Sequence, residues 1–184
     1  MPLNVPNFTT SKFSFGPGVL YLGAAGTTPT VDVGGITEDG IKVAMMSKKK
    51  DIYQGNPKLV CYTFNQEQGM EVELSGIEWN FDSLAYALGA GNTTVSGTEE
   101  TFAFGGDPLC QTVAIKIVHQ MATSGHTMLA YLWQAVSNGD LELTFGHDEH
   151  KFPLKWKAQR ATTNWAGDTL PYDEQLGLLI EQIA

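Results

Sequence analysis

The sequence has little positive charge and no long apolar run, and each shortage excludes a class of function. Lysine and arginine total 11 against 20 acidic residues, which gives a formal net charge of −9. Tight binding to a nucleic-acid backbone needs a basic patch, and Lys48-Lys49-Lys50 is the one basic cluster. No uncharged apolar stretch is long enough to span a bilayer, so we expect no membrane partner.

Cysteines and catalytic motifs are also scarce. Cys61 and Cys110 lie far apart and predict no disulfide framework, and Cys61 falls in a strand pattern that predicts a small buried side chain. The chain contains no nucleophile elbow, zinc-protease helix motif or Walker loop, so we expect neither an enzyme nor a cofactor. Residues 1–7 lack the charged and apolar regions of a signal peptide.

The length and composition indicate one folded domain, residues 1–184. Hydrophobic residues make up 42 % of the chain, enough for a sizeable core, and charged residues only 17 %. The surface is therefore left largely to small polar residues. This suits a β protein with many turns, or one that buries surface against copies of itself. Residues 1–14 are polar and irregular and predict an N-terminal arm.

Apolar and polar residues alternate along many short segments, which predicts a mainly β protein. These segments are residues 19–22, 37–45, 59–64, 70–75, 102–104, 113–118, 141–145 and 152–158. Residues 128–136 are apolar on both faces, which indicates a central strand, although periodicity alone also fits a helix. Polar loops are predicted at residues 47–57 and 92–100, a turn at 66–69, and a tight hairpin turn at 137–140. Residues 159–184 form a C-terminal segment of uncertain structure, in which residues 176–183 fit either a helix or a strand.

Residues 70–75 alternate strictly, so one face of that strand is apolar and the other carries Glu71, Glu73 and Ser75. The polar face is either the wetted outer face of a sheet or the lining of a surface that benefits from repelling negative charge. At Gly76 the alternation changes phase, which predicts a β-bulge. The residues that the bulge would turn toward the core are Ile77 and Trp79.

One short helix is predicted at about Asn80 to Leu88. Asn80 is a suitable N-cap, the apolar residues that follow recur at helical spacing, and Gly89 ends the pattern. A lone capped helix beside an acidic strand distinguishes this chain from a generic β domain.

The order of these segments resembles the tail tube, or major tail, proteins of long-tailed bacteriophages. The matching stretches are Phe-Gly-Pro-Gly-Val-Leu-Tyr-Leu-Gly at 15–23, Gly-Thr-Thr-Pro-Thr at 26–30, the strand and helix at 72–89, and the late hairpin at 136–146. Together they cover roughly residues 15–158, and nothing from Gln159 onward matches.

The resemblance implies a β-sandwich or barrel-like subunit with a flanking helix. Such subunits form hexameric rings that stack into a tube, and their hairpins merge into a continuous inner barrel. The tube would be part of the virion tail and would assemble in the host cytoplasm. Its partners would be other copies, a tape-measure protein and tail tip or terminator proteins, while DNA passes through without specific binding.

In that framework two groups of residues become candidate sites. Glu71, Glu73 and Ser75 are predicted to face the lumen, where carboxylates would repel phosphates, although the tube exterior stays an alternative. The predicted loop at 46–57 would contact the next ring, and the N-terminal arm would do likewise or clasp a neighbour. The predicted ring-stacking residues are Lys48, Lys49, Lys50, Asp51, Tyr53 and Gln54.

Three other functions compete with this hypothesis. A monomeric β-sandwich could bind carbohydrate or a receptor through Trp165, Tyr172 or Trp133, although core packing is the ordinary role for Trp133. A tube protein of a related contractile or secretion apparatus would share the fold. A metal-dependent enzyme could use His147 and His150, but a solvated loop is the favoured interpretation of His147-Asp148-Glu149-His150.

Overall fold

A computed structural model describes residues 18–78, 80–106, 109–120, 126–142 and 151–182. Within these ranges the chain forms ten strands, one α-helix and one 3₁₀ turn. The elements are β1 (Val19–Ala24), β2 (Val31–Asp32), β3 (Lys42–Gln54), β4 (Leu59–Gly76), α1 (Phe81–Leu88), β5 (Asn92–Ser96), β6 (Glu99–Ala103), β7 (Val113–Gln120), β8 (Thr127–Ser137), β9 (Phe152–Ala158), the 3₁₀ turn (Tyr172–Glu174) and β10 (Leu178–Gln182). The predicted mainly β fold with one short helix is confirmed.

Eight of the strands form one antiparallel sheet in the order β2-β1-β7-β8-β9-β4-β3, and β10 also pairs with β8. Two strands, β10 and β9, pair with different parts of the same edge of β8. Residues 127–131 pair with β10, and residues 135–137 pair with β9. Strands β5 and β6 form a separate two-stranded hairpin.

The segment 30–37 closes the large sheet at one end. The Val33 amide donates to the Leu20 carbonyl on β1 at 3.1 Å, and the Thr37 amide donates to the Ser75 carbonyl on β4 at 2.9 Å. One short segment therefore hydrogen-bonds to strands on both sides, which gives the sheet a barrel-like closure at this end.

The core lies inside the curved sheet, where alternate residues of each strand meet. The fully buried side chains are Trp156, Leu20, Leu22, Ile115, Leu132, Val72 and Val113. Met70, Val72 and Leu74 of β4 all face this core, as the alternation predicted. A smaller apolar cluster around Trp133 lies elsewhere, packed by Ala161 and Leu170.

Helix α1 forms where the sequence predicts it. The Asn80 side chain accepts a hydrogen bond from the Ser83 amide at 3.1 Å, and Gly89 ends the helix in the left-handed conformation with φ of 61°. The Trp156 indole Nε1 of β9 donates to the Tyr86 carbonyl at 3.1 Å. The helix is thereby tied to the sheet that it covers.

The predicted loop at 46–57 and the predicted turn at 66–69 are wrong. Strand β3 runs to Gln54, strand β4 begins at Leu59, and the two pair along the whole length of β3. The prediction failed because sequence alternation reports a buried face, and here neither face of the ribbon is covered. Two register shifts, between Lys48 and Lys49 and between Ile52 and Tyr53, interrupt the pattern further.

Other local predictions also need correction. Strand β4 stays in regular register with β9 up to Gly76, so the phase change marks the end of the strand rather than a bulge. Ile77 is 37 % exposed, and Cys61 is exposed rather than buried. The predicted loop at 92–100 contains most of the β5–β6 hairpin. The predicted strand at 37–45 begins only at Lys42, because residues 37–40 form a turn.

The ambiguous C-terminal segment contains a strand, β10, preceded by the 3₁₀ turn. Leu141 and Glu142, the described start of the predicted strand at 141–145, do not belong to any strand. Several predictions fall outside the described residues. They are the N-terminal arm at 1–14, Trp79, the rest of the strand at 141–145, and the cluster at 147–150.

Candidate assembly interface

The most unusual feature of the molecule is a long two-stranded ribbon formed by the outer parts of β3 and β4. We define residues 47–68 as the long hairpin. Its strands pair from Ser47 and Gln68 to Gln54 and Leu59, and every residue in it is exposed. At about 3.3 Å per residue, its strands project roughly 25 Å beyond the part of β3 and β4 that packs on the core. An isolated two-stranded ribbon is only marginally stable in water. This ribbon lacks the packing against a core that stabilises the other strands of the sheet.

One face of the long hairpin, the apolar face, carries a cluster of large side chains with lysines beside it. Tyr62 is 63 % exposed and stacks on Phe64 with 6.5 Å between ring centroids. Ile52 lies opposite Tyr62 in the register, and Leu59 follows toward the tip. The same face carries Lys48 and Lys50.

The opposite, polar face is held by side-chain hydrogen bonds. The Ser47 hydroxyl donates to the Asn65 carboxamide oxygen at 3.2 Å, and the Thr63 hydroxyl donates to an Asp51 carboxylate oxygen at 2.6 Å. Lys49 and the exposed pair Tyr53 and Val60 lie on this face too. The long hairpin is therefore amphipathic, although both of its faces are uncovered.

The structure places the predicted ring-stacking residues together, but on a strand rather than in a loop. Alternation along β3 divides them between the two faces. Lys48, Lys50 and Gln54 lie on the apolar face, and Lys49, Asp51 and Tyr53 lie on the polar face. The long hairpin carries four lysines, Lys58 being the fourth, against the two carboxylates of Asp51 and Glu67. It is a positive extension on a chain whose net charge is −9.

The structure places Glu71, Glu73 and Ser75 side by side on the face of β4 that points away from the core. Neighbouring strands bring lysines to the same face. The Lys155 ammonium lies 3.5 Å from the Glu71 carboxylate, and the Lys42 ammonium lies 3.4 Å from the Glu73 carboxylate. Taken with its sheet neighbours, the face has mixed charge. Its orientation toward a lumen stays a prediction.

The interior of the barrel also opens beside residues 38–41, which directly follow the closing segment. There its interior forms a cavity of about 530 Å³. We call this the mouth. Its apolar lining includes Ile41, Val43 and Met45 on one side and Ile117, Met128 and Leu179 on the other. Glu38 and Asp39 stand at its rim. This feature was missed in the sequence, because it combines residues from five segments of the chain.

Most of the aromatic residues considered for sugar binding pack against other residues of the chain. Trp133 is buried, and its indole Nε1 donates to the Glu174 carbonyl at 2.9 Å. Trp165 packs against Tyr131 with 4.7 Å between centroids. Burial raises the pKa of the Tyr131 phenol. Tyr172 alone of this group is open, 83 % exposed, with the Arg160 guanidinium 5.6 Å from its ring centroid.

No group of three or more histidine, cysteine or acidic side chains in the described residues converges as metal ligands would. Among the same residues, none of the helices is both long and apolar enough to cross a membrane. No protein-family model matches the chain, and no curated protein is detectably similar to it.

Proposed function

We propose that the chain is a structural subunit of a tube, the tail tube protein of a long-tailed bacteriophage. The observation that carries this proposal is the long hairpin. It exposes two open strand edges and several large apolar side chains, including Ile52, Leu59 and Tyr62. Open edges and uncovered apolar faces lead to association with other chains, and a closed ring of hairpins removes both.

The physical argument favours association with identical copies. A ribbon that is marginal alone gains backbone pairing and packing when neighbouring ribbons lie alongside it. A repeated head-to-tail contact between copies generates a ring if the rotation closes. In the tube that we propose, hexameric rings stack. The inner parts of the β3–β4 hairpins, which carry Glu71 and Glu73, form a continuous inner barrel, and the long hairpins at residues 47–68 reach neighbouring copies.

The wider setting follows from the resemblance of the sequence to tail tube proteins. The tube would form part of the virion tail after assembly in the host cytoplasm. It would contact a tape-measure protein during assembly and tip or terminator proteins at its ends. DNA would pass through it without specific binding. Such a subunit uses no catalytic residue and no cofactor.

The proposal gives roles to the two groups of candidate residues. Glu71, Glu73 and Ser75 line the lumen, where their carboxylates offset the neighbouring lysines and keep DNA from adhering. Lys48, Lys49, Lys50, Asp51, Tyr53 and Gln54 form contacts between rings, through the strand β3 rather than through a loop.

Electron microscopy of purified protein tests the proposal most directly. The wild-type chain should form rings or tubes at high concentration, alone or with tape-measure or tip components. A variant in which an Asn-Gly turn replaces residues 47–68 should stay folded and monomeric, because that segment contributes nothing to the core. A wild-type protein that remains monomeric under all these conditions would refute the proposal.

A second candidate function rests on Tyr172 alone. Its ring is open to solvent beside a polar groove lined by Arg160, Asp173 and Gln175 together with hairpin residues such as Gln66 and Gln68. Aromatic rings flanked by amides and charged groups are suited to stacking on sugars. Glycan-array binding by a stable monomer, abolished by Tyr172→Ala, would favour this carbohydrate-binding function over the tube.

A tube of a contractile tail or a secretion apparatus differs from the proposed tube in its surroundings rather than in its subunit fold. A gene for a sheath protein beside the gene for this chain would identify the contractile type.

A further inference from the structure

The mouth of the barrel is an apolar cavity with an acidic rim, and the described residues leave it uncovered on one side. Met128 and Leu179, two of its lining residues, are 38 % and 45 % exposed, and Met45 is 67 % exposed. Glu38 and Asp39 stand beside this apolar surface. Such a combination favours an occupant with an apolar face bordered by positive charge.

The apolar face of the long hairpin has this composition with the sign of charge reversed. Ile52, Tyr62 and Phe64 supply apolar and aromatic area. Lys48 and Lys50 lie beside them on the same face, together with Glu67, whose carboxylate is 3.9 Å from the Lys48 ammonium. The two lysines outnumber the one carboxylate, so the face keeps a net positive charge. Aromatic side chains that are exposed in the free chain are the kind that anchor interfaces once they are buried.

The hairpin of a chain cannot present this face to the mouth of the same chain. Met45, which lines the mouth, and Met46, which begins the apolar face, are consecutive residues of β3 and point to opposite faces of the ribbon. The apolar face therefore points away from the mouth at the base of the hairpin. Only another chain can bring the two surfaces together.

We propose that the apolar face of the long hairpin docks in the mouth of a second copy of this chain. Ile52, Tyr62 and Phe64 enter the cavity, and Lys48 and Lys50 meet Glu38 and Asp39 at its rim. The contact joins two different surfaces and leaves a free mouth and a free hairpin at the ends, so it propagates from copy to copy. It rests on the proposed self-assembly and specifies which surfaces meet.

Site-directed cross-linking between two separately tagged chains tests the contact. Both chains carry Cys61→Ser and Cys110→Ser; one adds Tyr62→Cys, and the other adds Leu179→Cys. A short, flexible bis-maleimide should give a heterodimer. The matched control replaces Tyr62→Cys by Asn65→Cys, on the polar face of the same hairpin, and should give at least about ten-fold less product. Equal cross-linking from the two faces would overturn the proposal.

Charge reversal tests the rim independently. Lys48→Glu with Lys50→Glu should weaken self-association by at least about ten-fold, and so should Glu38→Lys with Asp39→Lys. A single chain that carries all four substitutions should associate as the wild type does. The control combines Lys48→Glu and Lys50→Glu with Glu99→Lys and Glu100→Lys on the exposed β5–β6 hairpin. This combination should not restore self-association.

The outcomes separate this inference from the proposed function. Wild-type tubes with no rescue, or with equal cross-linking from both hairpin faces, would overturn the docking alone. A wild-type chain that never self-associates would overturn both.

Discussion

Trp156 connects the sheet to the helix at the level of a single residue. Its side chain is fully buried, and its indole Nε1 donates to the Tyr86 carbonyl in α1. Trp156→Phe removes the donor and leaves a void, so we expect the free energy of unfolding to fall by about 2–4 kcal/mol. Urea denaturation followed by circular dichroism measures this. The exposed Tyr172→Phe is the control, with an expected change below about 0.5 kcal/mol. Similar losses in the two variants would contradict the role of Trp156.

Tyr131 makes stability depend on alkaline pH. Burial raises the pKa of its phenol, so the folded chain keeps a proton that the unfolded chain loses above a pH of about 10. This contribution to stability is present below that pH and declines as the pH rises through the folded-state pKa. Subtracting the ultraviolet absorbance of tyrosinate in Tyr131→Phe from that in the wild type isolates the titration of Tyr131. This titration should occur at higher pH in the folded protein than in the urea-unfolded protein. Coincident steps would refute the effect.

At the scale of elements, the end of α1 depends on Gly89. Its φ is 61°, and a Cβ there would lie 3.0 Å from the Cys110 sulfur and 3.1 Å from the Gln111 carbonyl oxygen. Gly97 has nearly the same φ, 63°, in the open β5–β6 turn, where a Cβ would meet nothing within 4 Å. Both alanine variants pay the conformational cost of about 1–2 kcal/mol.

Gly89→Ala should therefore be less stable than Gly97→Ala by about a further 1 kcal/mol or more, because only the former also crowds its neighbours. Thermal or urea unfolding of the two variants side by side measures the difference. Equal stabilities would mean that the neighbours of Gly89 move away at no cost.

Sequence patterns predicted the elements that have one buried face. The spacing from Asn80 to Gly89 identified α1 with its caps, and alternation identified the core faces of β4, β7 and β9. The strand at 59–64 was predicted, but its partner at 47–54 was missed, because the long hairpin lies outside the core and residues 47–54 carry no regular apolar period. The lysines at 48–50 were recognised, but the Tyr62 side of the ribbon was not. The mouth depends on closure of the sheet, which no local pattern encodes.

Trypsin should detect the long hairpin as the first part of the free chain to open. Lys48, Lys49, Lys50 and Lys58 lie on a ribbon without a core, whereas residues such as Lys155 lie on strands paired at both edges. In dilute monomer we expect the initial cuts at residues 48–58, with the remainder intact. Assembled protein should resist these cuts at least about ten-fold, by mass spectrometry of the early fragments. Early cutting at Lys155 instead would show that the large sheet opens more readily than the long hairpin.

At the scale of the whole molecule, charge is divided between a positive hairpin and an acidic remainder. The outward face of β4 lies between these regions, with Glu71 and Glu73 offsetting Lys42 and Lys155 at 3.4–3.5 Å. If this face lines the conduit, the acids are what prevents the lysines from retaining DNA. Neutralising them would convert a mixed surface into a basic one, and a basic surface binds phosphates in a salt-dependent way.

Tubes of Glu71→Gln with Glu73→Gln should therefore assemble and retain short linear duplex DNA at low salt, at least about ten-fold more than wild-type tubes, and release it as salt rises. Closed circular plasmid, which cannot thread into a tube, should not be retained. Glu99→Gln with Glu100→Gln makes the same change in charge on the β5–β6 hairpin and serves as the control. Filter binding measures all three. Equal retention of linear and circular DNA would place the Glu71 face on the tube exterior, because only an outer surface is equally accessible to both.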